Sequence, residues 1–421
     1  MPSAPSCQEK SIGPRAQYGS RALPQGWRWV RLGEVCDTQI EMVDLRRKEK
    51  GRFRYVDIAS IDNARKLITQ AKWLPCIEAP SRARQILKAN DVMVSTTRPY
   101  LNAVAIVPPE LDGQIGSTGF CVLRPFPDLD HEFLFAFVRS DVFIRGLSLR
   151  VKGALYPAVS NQVVREQSIP LPPLPEQKRI VGLLNERLAI VERARMAVQA
   201  QLDAANALPA TFLRRVFPKP GQDLPCGWHF ARLGEVCKVI GGSTPDSANP
   251  DFWDGKIVWV TPTDLGKNHA IVINSSSRNI TVLGYDSCST EMLPVGTVVM
   301  SSRAPIGHLA IAGSHLCTNQ GCKSFIPGPS VHSQFLYWLL KWNLPAVQEL
   351  GSGATFAEVS KSQLEQFRAL LPPLPEQKRI AARLNEQIAA AARLRVNLEA
   401  QLAEIEALPA ALLRKAFSGG L

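Results

Sequence analysis

The sequence of 421 residues lacks the features that mark membrane proteins and disulfide-stabilised secreted proteins. No apolar run approaches the roughly 18 residues that a membrane-spanning helix needs. Residues 1–22 are polar and contain no apolar stretch like that of a signal peptide, so we expect a disordered tail in a cytoplasmic protein that has no membrane contact. The nine cysteines are odd in number and form no CxxC pair, so neither a disulfide framework nor a zinc ribbon is expected.

Motifs of the common DNA-modifying and nucleotide-dependent enzymes are also missing. No Asn-Pro-Pro-aromatic or Asp-Pro-Pro-aromatic tetrapeptide of an amino-methyltransferase occurs, and NPDFW at 249–253 is only partly similar. No glycine motif follows a strand-like run to hold a methyl donor or dinucleotide, and no Walker loop is present. His315, Cys317 and Cys322 have the spacing of no familiar metal site, so we expect buried thiols there. The sequence therefore predicts a binding protein with no catalytic residue, no cofactor and no metal.

Basic residues exceed acidic ones, which favours a polyanionic partner. Lysine and arginine number 49 against 37 aspartate and glutamate, a formal net charge of +12. The excess is uneven, because residues 23–170 hold 21 basic against 16 acidic residues, whereas residues 224–370 hold 10 against 10. Charge alone would predict nucleic-acid binding for the first region and miss the second.

Internal repetition is what the chain has in abundance. The decapeptide LPPLPEQKRI occurs at residues 171–180 and again, without one difference, at 371–380. Other matching segments are 23–36 with 224–237 and 201–217 with 401–417. All these matches share an offset of 200 or 201 residues, so the chain is one unit repeated head to tail. The stretches between the matches differ, which indicates duplication followed by selective divergence.

Each decapeptide heads a predicted long helix, because a proline suits the first helical turn and a glutamate suits the positive end of the helix dipole. Apolar residues then recur at spacings of four and three, the seam of a coiled coil. Arg195 and Arg395 interrupt this seam at the same place in both copies. We expect helices of about 33 residues, roughly 50 Å long, each followed by a kink at Pro209 or Pro409 and a short second helix.

Two matching apolar stripes are most simply buried against each other, as an antiparallel pair. The alternative is that each stripe packs only on its own domain. The divergent regions mix strand-like runs with helical pieces, and DVMVSTTRPYLNAVAIVP at 91–108 aligns with GTVVMSSRAPIGHLAIAG at 296–313. The sequence thus predicts a mixed α+β protein with a pseudo-two-fold internal repeat, in which a long antiparallel two-helix coiled coil separates two globular domains. The expected segments are a tail at 1–22, domains at 23–170 and 224–370, and helical spacers at 171–223 and 371–421.

Candidate DNA contacts lie in the divergent loops. DLRRKEKGRFRY at 44–55 packs basic residues around two aromatics, although a charge run is commonly only a solvated face. The segments 241–256 and 261–268 are rich in short polar side chains, which together with arginine forks can contact base edges. Arg98 and Arg303 are expected at the same place in the two copies, either as framework residues or as DNA-backbone contacts. The candidates are Arg46, Arg47, Lys48, Arg52 and Arg98 in the first region, and Ser243, Thr244, Trp253, Thr263 and Arg303 in the second.

Taken together, these motifs resemble the specificity subunit of a type I restriction–modification system. The resemblance runs over nearly the whole chain from Leu23, through the paired PLPEQKRI segments, the LPxGW…RLGEV openings and the run GGSTP…FW…VWVTPTDL…SSRAPIG…TNQG. It implies two target-recognition domains that each read one half of an asymmetric, interrupted double-stranded DNA site. It also implies helices that set the spacing and dock two methyltransferase subunits, with restriction subunits completing a complex for phage defence.

The resemblance implies a non-catalytic subunit whose helical segments bear the partner contacts. Two other classes stay open at this point: a catalytic subunit with unfamiliar motifs, and a structural coiled-coil adaptor whose end domains bind proteins. The adaptor suits the neutral second region, but gives no reason for loops to diverge while helices stay alike. Candidate partner and coiled-coil residues are Glu176, Gln177, Ile180, Leu184, Val191, Glu376, Gln377, Ile380, Leu384 and Leu398.

Overall fold

The computed structural model describes residues 23–47, 50–151, 157–218, 222–303, 305–351 and 358–421. Their contacts divide the chain into two compact units. The first holds the residues up to Gln199 together with Ala400–Leu421, and the second holds Ala200–Glu399. Each unit therefore combines one globular domain with parts of both long helices.

The globular domain of the first unit consists of short strands and four short helices. Its strands are β1 (Arg28–Arg31), β2 (Cys36–Asp37), β3 (Arg52–Val56), β4 (Ile61–Asp62), β5 (Leu67–Ile68), β6 (Lys72–Pro75), β7 (Ala83–Ile86), β8 (Val92–Ser95), β9 (Val104–Ile106), β10 (Ile115–Ser117), β11 (Phe120–Pro125) and β12 (Ser168–Leu171). Its helices are α1 (Leu32–Val35), α2 (His131–Val138), α3 (Asp141–Ser148) and α4 (Asn161–Arg165).

Two four-stranded sheets, ordered β6-β3-β10-β7 and β2-β11-β8-β9, carry this domain, while β1 pairs with β12 and β4 with β5. Strand β8 lies between β11 and β9, and all four of its residues, VMVS, are buried. A central strand covered on both faces needs a continuous apolar run, which explains why its sequence does not alternate.

The first long helix, α5 (Leu174–Val216), leads into the second globular domain. The strands of that domain are β13 (His229–Arg232), β14 (Cys237–Gly241), β15 (Trp253–Val260), β16 (Val272–Ile273), β17 (Asn279–Ile280), β18 (Val298–Ser301), β19 (Leu309–Ala312), β20 (Leu316–Thr318), β21 (Cys322–Pro327) and β22 (Arg368–Leu371). Its helices are α6 (Leu233–Val236), α7 (Pro262–Lys267), α8 (Val282–Asp286), α9 (Ser333–Leu350) and α10 (Lys361–Gln366), followed by the second long helix, α11 (Leu374–Phe417).

The two domains share a framework, as the sequence alignment predicts. The antiparallel strands β11, β8 and β9 of the first domain correspond to β21, β18 and β19 of the second. A parallel pair also recurs, since β3 pairs with β10 and β15 with β20. The mixed α+β fold with an internal repeat is confirmed.

Both long helices continue through their prolines. Helix α5 has 43 residues and includes Pro209, and α11 has 44 residues and includes Pro409. At 1.5 Å per residue each is roughly 65 Å long. The predicted separate short helix after each proline is therefore wrong. A proline removes one backbone hydrogen bond, but the turns after it are held by the burial of Leu213 in α5, of Phe217 directly after α5, and of their counterparts in α11.

The helices pair in antiparallel fashion. In the first unit, Ile180 and Leu184 near the start of α5 share a buried cluster with Leu413 and Phe417 at the end of α11. In the second unit, the end of α5 shares a cluster with the start of α11 in the same way, through Leu213, Phe217, Ile380 and Leu384. The end of α5 thus completes the core of the domain that follows it, and the end of α11 completes the core of the first domain, which is distant in sequence. The antiparallel pairing is confirmed.

Arg195 and Arg395 do not bridge the helix pair. The Arg195 guanidinium contacts the Glu192 carboxylate of its own helix at 2.8 Å, and Arg395 lies 3.9 Å from Glu399. Both arginines therefore lie at the margin of the seam, paired with neighbours on the same helix. Among the residues that the structure describes, no helix is long and apolar enough to cross a membrane.

Candidate nucleic-acid interface

The basic segment of the first domain forms a short turn of 3-10 helix, Leu45–Arg47. Asp44 precedes it, with Arg46 Nε at 3.4 Å and Arg47 Nε at 3.7 Å from its carboxylate oxygens. Partial burial pushes the pKa of Asp44 upward, but the charge and hydrogen bonds of Arg46 outweigh this and hold the pKa below its usual range. The Arg47 side chain is 85% exposed, so one aspartate positions two cations at the surface.

Arg52 and Arg98 are also exposed in this domain. Arg52 opens strand β3, and the backbone N–H of Arg98 donates to the Pro157 carbonyl at 2.8 Å. Arg98 has a φ of 47°, a left-handed conformation that costs free energy in a non-glycine residue. No carboxylate pairs with Arg98 within the described ranges. Its guanidinium is thus presented at the surface from a fixed backbone, whereas Lys48 lies outside the described residues.

Arg303 does not occupy the place of Arg98. Thr97 bridges to Ala158 in the first domain, and Arg303 bridges to Glu358 in the second. Arg303 therefore corresponds to Thr97, and the expectation that the two arginines are equivalent is wrong by one residue. The Arg303 guanidinium lies 3.0 Å from the Glu358 carboxylate, which also accepts from Lys323 at 3.4 Å. Ala158 stands where Glu358 does, so the first domain has neither the cation nor the carboxylate at this position.

Hydrogen bonds of the backbone hold the polar loop after β14 in place. The N–H of Ser243 donates to the Thr318 carbonyl, and the Ser243 carbonyl accepts from Trp259 Nε1, both at 3.0 Å. The hydroxyl of Thr244 donates to the side chain of Gln320. Ser243 and Thr244 are half-buried, whereas Thr263 is exposed in the first turn of α7. The loop thus has a defined shape and offers hydroxyl groups at its surface.

Trp253 lies in the interior, not at the surface. Its side chain is 4% exposed, contacts Trp259 edge-on at 5.1 Å between ring centroids, and donates from Nε1 to the Asp246 carbonyl at 3.1 Å. A ring buried in this way cannot stack on a base in this conformation. The guanidinium of Arg278 lies over the same ring, 3.5 Å from its centroid, and Arg278 is exposed. Trp253 therefore positions Arg278. The sequence pattern does not indicate Arg278, because this residue lies outside the polar segments 241–256 and 261–268.

Asp264 connects helix α7 to the segment that carries Arg278. Its carboxylate accepts from the N–H and hydroxyl of Thr261 at 2.8 and 2.6 Å, and from the N–H of Ser277 at 2.9 Å. Burial raises the pKa of Asp264, but the hydrogen bonds from Thr261 and Ser277 outweigh it and leave the pKa below its usual range. This carboxylate fixes the residue next to Arg278 and thereby the path of the loop.

The two decapeptides are bound into their domains by a glutamine. Gln177 is fully buried; its carbonyl oxygen accepts from the Asp130 N–H at 2.8 Å, and its amide donates to the carbonyls of Asp128 and Pro172. Gln377 makes the same three bonds to His332, Ser330 and Pro372. Each glutamine therefore holds the start of its long helix against the adjacent domain, so its side chain is not available to a partner.

Other predicted helix residues fall into two groups. Ile180, Leu184, Ile380, Leu384 and Leu398 are buried and Val191 is half-buried, as a seam requires. Glu176 and Glu376 are half-buried and pair with the arginine three residues further on, at 2.7 and 3.0 Å. The pattern of buried and exposed residues along LPPLPEQKRI is identical in both copies. Internal packing explains the identity of the buried positions, and the Glu–Arg pairs account for the arginines, but no ion pair among the described residues involves Lys178 or Lys378.

Within the described ranges, no group of three or more His, Cys, Asp or Glu residues could hold a metal ion. Cys317 and Cys322 are buried as predicted, and burial raises the pKa of their thiols to about 11 and about 12. Thiols with such pKa values stay protonated near neutral pH and serve as small apolar groups.

Comparison with known proteins places these features in one family. Residues 24–193 and 225–404 both match the family model described as the type I restriction modification DNA specificity domain. The MjaIX specificity subunit of Methanocaldococcus jannaschii is 37% identical over 164 residues, 38% of either chain. The putative MjaX specificity subunit of the same organism is 23% identical over 388 residues, 86% of this chain and 87% of its own.

Solved structures agree with this assignment. The HsdS subunit of Thermoanaerobacter tengcongensis has a TM-score of 0.74 at 36% identity, over 96% of this chain and 100% of that one. A chain solved to explain complex assembly and conformational transition of the type I R-M system has a TM-score of 0.81 at 37% identity, over 95% and 100%. The chain therefore belongs to the type I restriction–modification DNA specificity family. It is a DNA sequence-recognition subunit with two recognition domains, and a member of this family is not itself an enzyme.

Proposed function

We propose that residues 23–170 and 224–370 each read one half of a bipartite, asymmetric DNA site, and that the helical spacers 171–223 and 371–421 hold the two halves at a set distance. The observation that carries this proposal is the contrast between a shared β framework and unlike, polar or cationic loops on it. Two domains that recognise the same DNA sequence would need identical loops. Two readers of different sequences need one framework with different side chains at its surface.

In the first domain, the proposed contacts are Arg46, Arg47, Lys48, Arg52 and Arg98. Exposed arginines without a strong carboxylate partner are available for bidentate contacts to guanine or to phosphate. The Asp44 carboxylate limits the orientations of Arg46 and Arg47, which reduces the entropy lost when they bind.

In the second domain, the proposed contacts are Ser243, Thr244, Thr263, Arg278 and Arg303, with Trp253 as the residue that positions Arg278. Hydroxyl groups can contact phosphates and base edges, and Arg278 supplies a cation to a region whose formal charges balance. Arg303 is held by Glu358, so a contact from Arg303 to DNA requires this exposed ion pair to open. Such surface pairs contribute only about 0–1 kcal/mol, so opening one is a small cost.

We further propose that two copies of a methyltransferase subunit dock on the chain, one at each decapeptide, and that restriction subunits join them. The exposed residues common to both copies support this: Pro173, Pro175, Lys178 and Arg179, with Pro373, Pro375, Lys378 and Arg379. The two arginines also pair with glutamates of their own helix, but Lys178 and Lys378 have no ion-pair partner among the described residues. Two copies of one partner need the same surface twice. A cytoplasmic location fits, because the eight cysteines among the described residues are all unpaired.

The test is to express the chain with a type I modification subunit in cells that lack other adenine methylation, and to map methylated adenines by single-molecule sequencing. The proposal predicts one motif with two unlike halves separated by a fixed gap. A motif that is continuous, or whose halves are the same sequence, would contradict it.

A further inference from the structure

A cavity of about 220 Å³ lies in the second unit between the end of α5 and the start of α11. It shares no residue with the proposed DNA contacts. Its polar lining consists of Arg215, Trp228, Glu376, Arg379 and Arg383, and Ile380 contributes to its apolar wall. Nothing in the reading of DNA by the loops accounts for this set of side chains.

The cavity carries an excess of positive charge. Three guanidinium groups face one carboxylate, and that carboxylate, Glu376, is already paired with Arg379 at 3.0 Å. Arg215 and Arg383 are exposed, and neither has a carboxylate partner in the part of the chain that the structure describes. Two cations therefore remain for an anionic ligand.

Trp228 adds a buried donor. Its side chain is 7% exposed, and its Nε1–H is buried without an acceptor among the described residues. Phe217 contacts the indole edge-on at 6.5 Å between centroids, so the ring is packed in a fixed orientation. Buried indole N–H groups normally find a partner, because an unsatisfied donor costs free energy. Among the described residues that line the cavity, Trp228 is the one with a buried polar side-chain atom that lacks a partner.

The first unit shows what kind of ligand such a site accepts. Trp27, Glu176 and Arg179 are the counterparts of Trp228, Glu376 and Arg379 in the repeat. There the Arg179 guanidinium donates to the main-chain oxygen of Leu421 at 2.9 Å, and the Leu421 side chain packs against the same apolar cluster as Trp27. In the first unit, the corresponding place is therefore taken by a segment of polypeptide.

We propose that the cavity of the second unit binds an acidic peptide segment of a partner protein. A glutamate or aspartate carboxylate of that segment accepts hydrogen bonds from Arg215 and Arg383, and another oxygen accepts the Trp228 N–H. Leu183 stands where Arg383 does, so the first unit lacks the third cation and binds its own Leu421 instead. The chain therefore takes one such segment, not two, and the site includes Glu376 and Arg379 of the second decapeptide.

The experiment titrates the full chain against a fluorescein-labelled peptide of three glutamates followed by leucine, and follows fluorescence anisotropy. The matched probe is the same peptide with three glutamines. We expect one acidic peptide per chain and binding of the glutamine peptide about ten-fold weaker or less, as the loss of a charge-assisted contact requires.

Two variants test the residues themselves. Arg383→Leu introduces the residue that the first unit already has at this position, and Trp228→Phe removes the donor while keeping an aromatic ring. Each should weaken peptide binding about ten-fold. The control Leu183→Arg should not change it. Unaltered thermal unfolding and unaltered DNA affinity of each variant establish that it is folded.

Several results would overturn the proposal. One is equal binding of the two peptides, and another is affinity that does not respond to Arg383→Leu and Trp228→Phe. Displacement of the peptide by inorganic phosphate or by a short DNA duplex at equal charge concentration, with the same dependence on Arg383, would instead mark a general anion site or a nucleic-acid site.

Discussion

The side-chain oxygen of Gln377 accepts a hydrogen bond from the backbone N–H of His332 at 2.8 Å, and Gln177 makes the same bond to Asp130 at the same distance. These bonds join the first turn of each long helix to the loop before a helix of the adjacent domain. Each glutamine is fully buried and satisfies three backbone groups. The identical decapeptides therefore serve two purposes: their buried residues hold each long helix to its domain, and their exposed residues form a surface.

Gln377→Leu should destabilise the second unit by about 3 kcal/mol, because it leaves one backbone N–H and two carbonyls buried without partners. Urea unfolding followed by tryptophan fluorescence measures this. Lys378→Ala is the matched control, since Lys378 is exposed and adjacent, and it should change stability by less than about 0.5 kcal/mol. Equal effects of the two substitutions would show that the buried hydrogen bonds of Gln377 contribute nothing.

Asp264 predicts a dependence of stability on pH. Its pKa in the folded protein is lowered by hydrogen bonds from Thr261 and Ser277, so the unfolded chain binds the proton more tightly. The stabilisation is therefore present above the ordinary carboxyl pKa of about 4 and is lost as pH falls through the lower, folded value. Asp264→Asn should lower stability at pH 7, and the difference from the unaltered protein should shrink towards pH 2 in urea titrations. A difference that grows on acidification would contradict this assignment.

Arg278→Ala should weaken DNA binding by about 1–3 kcal/mol and reduce the slope of log affinity against log salt by about one, if Arg278 contacts a phosphate. Trp253→Phe keeps an aromatic ring beneath Arg278 and should have the smaller effect. Fluorescence anisotropy with a duplex containing the mapped site, at several salt concentrations, gives both quantities. A larger loss for Trp253→Phe than for Arg278→Ala would reverse the roles given to the two residues.

The spacer role of the helices predicts the effect of lengthening them. Insertion of one heptad in the middle of both α5 and α11 preserves the seam and adds roughly 10 Å, since each residue adds 1.5 Å. The tolerated gap between half-sites should lengthen by about three base pairs, at 3.4 Å per pair, or methylation should cease. Mapping of methylated adenines reads the gap directly. A changed half-sequence with the old gap would show that the helices do not set the spacing.

The repeat and the seam could be predicted from sequence because both are periodic. Stripe residues such as Leu184 and Leu384 are buried as the spacing requires. The ends of the helices could not be predicted, because the penalty of Pro209 is local, whereas the burial of Leu213 and Phe217 that offsets it is tertiary. Local helix propensity alone predicts that the helix ends at the proline, whereas in the folded protein the helix continues beyond it.

The candidate DNA contacts also differ in how far local sequence could predict them. Charge and position indicated Arg46, Arg47 and Arg98, which are exposed. Composition could not distinguish Trp253 from a surface aromatic, since its surroundings include Trp259, later in the same strand, and Arg278 from another segment. The position of Arg303, by contrast, can be read from the sequence: an ungapped alignment of STTRP at 95–99 with SSRAP at 301–305 places Arg303 opposite Thr97, and the backbone bridges have the same register.

The most direct test of independent reading by two domains is an exchange of residues 37–150 for those of another family member, with methylated adenines mapped before and after. The expected result is a new sequence in one half of the site, with the other half and the gap unchanged. A change in both halves would contradict the proposal that each domain reads its own half.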